Sequence, residues 1–157
     1  KELNEQLVQY CIQKDQSAKL TSYLKCFLEK GDGSTDACMA AAKVDAKKVK
    51  TCVAATDKAY SVTSDFKANK NFKGSYPSFN VFKDDNAKYG VGGSPTLVIN
   101  GAEISSGRDA NSLLKAICSG FNNPPAECEK ALSSDTPSAG FGSGTAANSN
   151  TDAGCGN

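Results

Sequence analysis

Histidine and tryptophan are missing from this 157-residue chain, methionine occurs once and proline five times. Without histidine there is no imidazole base, which excludes Cys-His and Ser-His-Asp nucleophilic catalysis. It also removes a common zinc ligand, and no cofactor or metal site is expected. No charge of one sign dominates: 18 Lys and Arg against 17 Asp and Glu leave a net charge of +1. Charge therefore gives no argument for a nucleic-acid partner. No apolar run approaches the roughly 18 residues of a membrane-spanning helix. The chain opens on the charged Lys1-Glu2-Leu3-Asn4 rather than on an apolar leader, as a mature, processed or truncated chain would. No Asn-x-Ser/Thr sequon occurs; Asn148-Ser-Asn and Asn150-Thr-Asp both fail the pattern. No Cys-x-x-Cys occurs either, and the closest two cysteines in sequence are Cys118 and Cys128.

What is abundant is cysteine, with seven in all. Without zinc spacings, disulfides are the economical reading, and they imply an extracytoplasmic, oxidising compartment: secreted, luminal or periplasmic. An odd count leaves one thiol over, and the seventh, Cys155, lies near the C-terminus. It is either free or bonded outside this chain. Hydrophobic residues make up 39%, enough for a modest core.

The first 60 residues read as a helical cluster. Leu3, Leu7 and Tyr10-Cys11 mark one helical face over Glu2 to Gln13. Leu20, Tyr23, Leu24, Phe27 and Leu28 mark another over Lys19 to Lys30, with Asp15 or Ser17 as cap and Gly31-Asp-Gly33 as stop. Ser34 or Thr35 starts a third helix through Cys38, Met39 and Ala42. Asp45 caps a fourth, with Val49, Cys52 and Val53 facing inward. Nested pairing, Cys11–Cys52 and Cys26–Cys38, suits antiparallel neighbours joined by short loops, although four cysteines permit three pairings. Tyr60 to Ser75 is polar. Its Lys67, Lys70 and Lys73, interleaved with Phe66 and Phe72, read as a solvated connection rather than a nucleic-acid patch. Tyr76-Pro-Ser-Phe79-Asn-Val81-Phe82 reads as extended in its first part, and Asp84 or Asp85 as the cap of a short helix to Tyr89.

The most informative stretch is Gly90-Val-Gly-Gly-Ser-Pro95-Thr-Leu-Val-Ile-Asn100-Gly101-Ala-Glu103. Gly90 to Gly93 is a flexible entry loop. Ser94-Pro95 fixes the backbone and is the kind of bond that takes the cis form at modest cost. Thr96 to Ile99 predicts a buried strand, Asn100-Gly101 a hairpin turn, and Ala102 to Ile104 the return strand. Asp109 then caps a helix through Leu113, Leu114, Ile117, Cys118 and Phe121, spaced as on a helix packed against a sheet. Gly120 and Asn122-Asn-Pro-Pro125 stop it, and Cys118 and Cys128 bracket the diproline turn as a third pair. From Ser133 on, Ser, Gly, Thr, Asn and Ala dominate, a tail or linker unable to order itself.

Gly93-Ser-Pro-Thr-Leu-Val-Ile-Asn-Gly101 resembles the cis-proline loop and following strand of thioredoxin-fold proteins, the DsbA-like branch in particular. Leu7-Val-Gln-Tyr-Cys11, Tyr23-Leu-Lys-Cys26-Phe, Cys38, Cys52 and Lys115-Ala-Ile-Cys118-Ser-Gly-Phe121 are similar, in order, to the helical insertion and last helix of that family. They are also similar to the luminal thiol reductases and to the central luminal domain of plant vacuolar sorting receptors. The resemblance covers roughly residues 2 to 128. It implies an α/β, thioredoxin-like fold with a disulfide-stapled helical insertion (1–60), the C-terminal half of the thioredoxin-like fold (61–132) and a low-complexity tail (133–157). It further implies that Gly93, Ser94, Pro95 and Thr96 bind the substrate's extended chain beside a redox-active Cys-x-x-Cys. That pair is absent here, so the resemblance implies a missing N-terminal β-α-β half, or one lying elsewhere.

Three functions are weighed. The chain is the substrate-binding portion of a DsbA-like thiol–disulfide oxidoreductase, not catalytic by itself; or a non-catalytic module that holds an extended peptide at a strand edge; or a disulfide-rich structural subunit stapled to a neighbour through Cys155. Each calls for a protein or peptide partner: a substrate, a neighbouring subunit or the missing half.

Overall fold

In the computed structural model the described residues are 1–72, 74–93 and 95–136. Lys73, Ser94 and the stretch 137–157, which carries most of the expected tail and Cys155, lie outside them. The described chain is mostly helical with one two-stranded antiparallel sheet, and it divides into two compact units, Lys1–Phe82 and residues 83–136.

The first unit is a cluster of helices. Helix α1 spans Glu2–Lys30, with Glu2 and Glu5 in its first turn and Lys30 in its last, each complementing the helix dipole. Two helices were expected over this stretch. They run into one another without a capped break, joined at Gln16, whose backbone leaves helical geometry (φ −144°, ψ 42°). Gly31 stops α1 at φ 79°, its N–H returning to the Phe27 carbonyl at 2.8 Å. Helix α2 (Thr35–Ala41) follows a short turn. Helix α3 (Ala46–Tyr60) is capped by Asp45, whose carboxylate accepts from the N–H groups of Lys47 and Lys48 at 3.0 and 3.1 Å.

A further helix, α4 (Val62–Lys67), occupies what the sequence marks as a polar connection. It follows α3 through Ser61, in the left-handed region, and Asp57 of α3 accepts from the Thr63 N–H at 2.7 Å. Val62 is its one buried residue, and Phe66 is half exposed. A single buried residue leaves no periodic signal in the sequence. The helical unit therefore extends past residue 60 to Phe82, where a one-turn 3-10 helix (Asn80–Phe82) follows the part of Tyr76–Phe82 expected to be extended. The Phe82 ring meets Tyr10 edge-on at 5.5 Å.

The core of this unit comprises Cys11, Ile12, Tyr23, Phe27, Cys38, Met39, Val44, Val49 and Cys52. The Tyr23 and Phe27 rings stack at 6.1 Å. Disulfide Cys11–Cys52 ties α1 to α3, and Cys26–Cys38 ties α1 to α2, with Cα separations of 5.8 and 5.5 Å. The buried Thr56 hydroxyl lies 3.9 Å from the Cys11 sulfur and 3.7 Å from that of Cys52, so this buried polar side chain rests on the bridge.

The second unit contains helix α5 (Lys83–Lys88), strands β1 (Val98–Ile99) and β2 (Ala102–Glu103), helix α6 (Ala110–Cys118) and a 3-10 turn (Ala126–Glu129). Asp84 and Asp85 lie in the first turn of α5 rather than before it. The third disulfide, Cys118–Cys128, ties the end of α6 to the 3-10 turn. No described residue of this unit is buried. The strand expected to be buried over Thr96 to Ile99 is shorter and only half-buried. On α6, Leu113, Ile117 and the following Phe121 are 38%, 48% and 49% exposed. Apolar spacing sets which side of a helix seeks cover; burial also requires something packed against that side.

Candidate functional site

The loop carrying the expected binding residues is launched by α5. Gly90 sits in the left-handed region at φ 65°; its N–H reaches the Ala87 carbonyl and the Val91 N–H reaches that of Asn86 at 2.9 Å. This double return is a Schellman cap, and its pivot favours glycine. Gly93 and Thr96 are then drawn together across Ser94-Pro95, the Thr96 hydroxyl donating to the Gly93 carbonyl at 2.7 Å. Three of the expected binding residues, Gly93, Pro95 and Thr96, thus share one corner, with Pro95 exposed. Ser94 lies outside the described residues. The Thr96 hydroxyl is engaged in shaping the corner.

The hairpin follows directly. Asn100 and Gly101 both have positive φ, 52° and 85°, which a type I′ turn requires and which Asn-Gly adopts readily. Ile99 pairs with Ala102 and Val98 with Glu103, and the Ile104 N–H donates to the Leu97 carbonyl at 2.9 Å. In an antiparallel pair successive residues direct their backbone groups to opposite edges. With Leu97 turned toward β2, this register aims the N–H and C=O of Val98 at the outer edge, three residues after Pro95.

Two contacts fix that edge, and neither was legible in the sequence. The Asn100 side-chain amide donates to the Gly120 carbonyl at 2.7 Å, pinning the hairpin tip to the end of α6. A Cβ at Gly120 would meet the Ile99 side chain at 2.6 Å, so the close approach requires glycine. At the start of α6, Asp109 caps the helix through the Ser112 N–H at 2.8 Å. Hydrogen bonding from the Ser112 side chain, then from its backbone, lowers the Asp109 carboxyl below its ordinary value.

Chemically, the corner offers backbone donors and acceptors and an exposed proline. Six cysteines are joined in the three disulfides and present no thiolate; Cys155 lies outside the described residues. Among the described residues no group of three or more Cys, Asp or Glu is placed to hold a metal ion, and no helix is long and apolar enough to cross a membrane. In the first unit a notch of about 420 Å³, open to solvent and lined by Gln16, Lys19, Asp45 and Lys48 among others, marks the bend of α1. Set against protein-family models, curated proteins and solved structures, the chain matches none.

Proposed function

We infer that the chain holds an extended polypeptide at the Pro95 corner and the outer edge of β1, and is not a catalyst by itself. It is the substrate-binding portion of an extracytoplasmic, DsbA-like thiol–disulfide oxidoreductase, with the Cys-x-x-Cys pair supplied from outside the 157 residues. In this reading the hairpin and α6 are the closing strands and last helix of a thioredoxin-like fold, and the helical unit is its insertion. The observation that carries it is the outward-facing Val98 backbone, three residues after Pro95. An extended chain adding there gains main-chain hydrogen bonds whatever its sequence, which suits a binder of unfolded substrates. The absence of any buried residue among those described in 83–136 supports a surface that a further layer completes. Three disulfides support an oxidising compartment, secreted, luminal or periplasmic.

The engagement of every described cysteine in a disulfide favours a second reading, a non-catalytic binding or structural subunit of a secreted or luminal assembly. Non-reduced peptide mass mapping of native material separates the two. An associated or contiguous segment with a reducible Cys-x-x-Cys supports the oxidoreductase. Its absence, with Cys155 bonded to another chain, supports the assembly.

A further inference from the structure

The third disulfide differs from the other two in its surroundings. Cys11 and Cys38 have no exposed surface and Cys52 is buried. Cys26 is half-buried, but a thiolate attacking it would have to expel the Cys38 sulfur as an anion into the core, where desolvation opposes it. Cys118 and Cys128 are both half-buried in a unit with no buried residue among those described, so both sulfurs can leave into solvent-accessible surroundings.

The chain beyond Cys128 gives this bridge a mechanical consequence. Cys128 is bonded to Cys118, the last residue of α6. Five residues on, the Ser133 carbonyl accepts from the N–H of Asn111, the second residue of α6, at 3.0 Å. The Asn111 side-chain amide also donates to the Ser134 hydroxyl at 3.3 Å. Residues 128–134 therefore run back along α6 as a strap of about 10 Å, the rise of seven helical residues. The strap is fixed at one end by the disulfide and at the other by hydrogen bonds. Every strap residue after Cys128 is exposed, so no apolar burial holds it between those ties.

We propose that the Cys118–Cys128 bridge is a site of thiol–disulfide exchange with an external dithiol, and that its reduction frees the 128–134 strap from α6 while the two bridges of the helical unit stay closed. A thiolate of the dithiol attacks one sulfur, forms a mixed disulfide and expels the other cysteine as a thiolate. The second thiol of the reagent then displaces the remaining protein sulfur. Two electrons pass from the dithiol to the cysteine pair. The reagent leaves as a disulfide, and its two thiol protons end, by way of solvent, on Cys118 and Cys128. Once the covalent tie is lost, two exposed hydrogen bonds cannot offset the entropy of ordering the strap.

The test uses the whole native chain with dithiothreitol as the dithiol, quenching by alkylation, peptide mapping and hydrogen exchange. The expected result is labelling of Cys118 and Cys128 at least tenfold faster than of Cys11, Cys26, Cys38 and Cys52. It is accompanied by faster exchange at the Asn111 amide and across 128–134, with the core amides of α1 and α3 unchanged. The double variant Cys118→Ser/Cys128→Ser reproduces that exchange pattern without reagent. Reduction of either helical-unit bridge first or at equal rate overturns the proposal, as does resistance of all three bridges under native conditions. Retained protection at Asn111 after reduction or in the double variant does so too.

Discussion

The side-chain amide of Gln16 pairs with both backbone groups of Asp45. Its Nε2 donates to the Asp45 carbonyl at 3.2 Å and its Oε1 accepts from the Asp45 N–H at 2.8 Å. Gln16 is the residue at which α1 leaves helical geometry, and Asp45 is the cap of α3. The bend and the start of the next helix are thus one joint, reinforced by the Lys19 ammonium, which donates to the Gln16 side chain and to the Lys43 carbonyl.

Gln16→Ala should lower stability by about 1–2 kcal/mol, the scale of two exposed hydrogen bonds. Gln16→Glu should cost more, because it keeps the acceptor for the Asp45 N–H but sets a carboxylate oxygen against the Asp45 carbonyl. Urea unfolding followed by circular dichroism measures both, and an order reversed between the two variants argues against the joint.

Tyr23 gives the fold an alkaline limit. Its ring is fully buried and its hydroxyl donates to Glu5 at 2.6 Å. Burial, then the hydrogen bond and negative charge of Glu5, push its pKa well above the ordinary 10.0. A folded-state value raised above the unfolded one means full stability below pH 10 and a loss as pH rises from there toward the folded value. The slope is about 1.4 kcal/mol per pH unit. Tyr23→Phe should be less stable at neutral pH by about 1 kcal/mol but should lose that slope. Denaturant titrations between pH 8 and 11 compare the two proteins.

The helical unit depends on its bridges unequally. Cys11–Cys52 closes a 41-residue separation and Cys26–Cys38 one of 12. Restriction of the unfolded chain assigns about 4 and about 3 kcal/mol to them. Paired replacement by alanine should lower the urea midpoint in that order, with a larger margin for the first pair because Thr56 then loses both sulfur contacts.

Gly120→Ala should detach the hairpin from α6. The added methyl would meet Ile99 at 2.6 Å and the Asn100 amide at 3.2 Å, and such overpacking costs about 1–3 kcal/mol. Amide exchange should accelerate at Ile104 and leave the helical unit unchanged.

Local chemistry was legible in the sequence. Asp45 and Asp109 cap the helices that follow them, Asn100-Gly101 makes the hairpin turn, and the cysteines spaced for nested antiparallel helices stand at bonding distance in those pairs. Gln16 was not legible, because its role rests on a residue 29 positions away. Val62 was not, because one buried residue makes no period. The burial expected of Thr96 to Ile99 and of α6 failed for a different reason. Sequence encodes which face is apolar, whereas the depth of burial depends on what packs on it, and residues 83–136 offer a hairpin and short helices for that.

The most direct test of the binding account is an amide chemical-shift titration of the whole oxidised chain with an unfolded, alkylated polypeptide, which has no thiol to exchange. The account predicts shifts concentrated at Thr96, Leu97, Val98 and Ile99. They should be lost in Val98→Pro, which removes the outward-facing donor without touching the N–H groups that pair with β2. Shifts that avoid this edge, or binding that survives Val98→Pro unchanged, would contradict it.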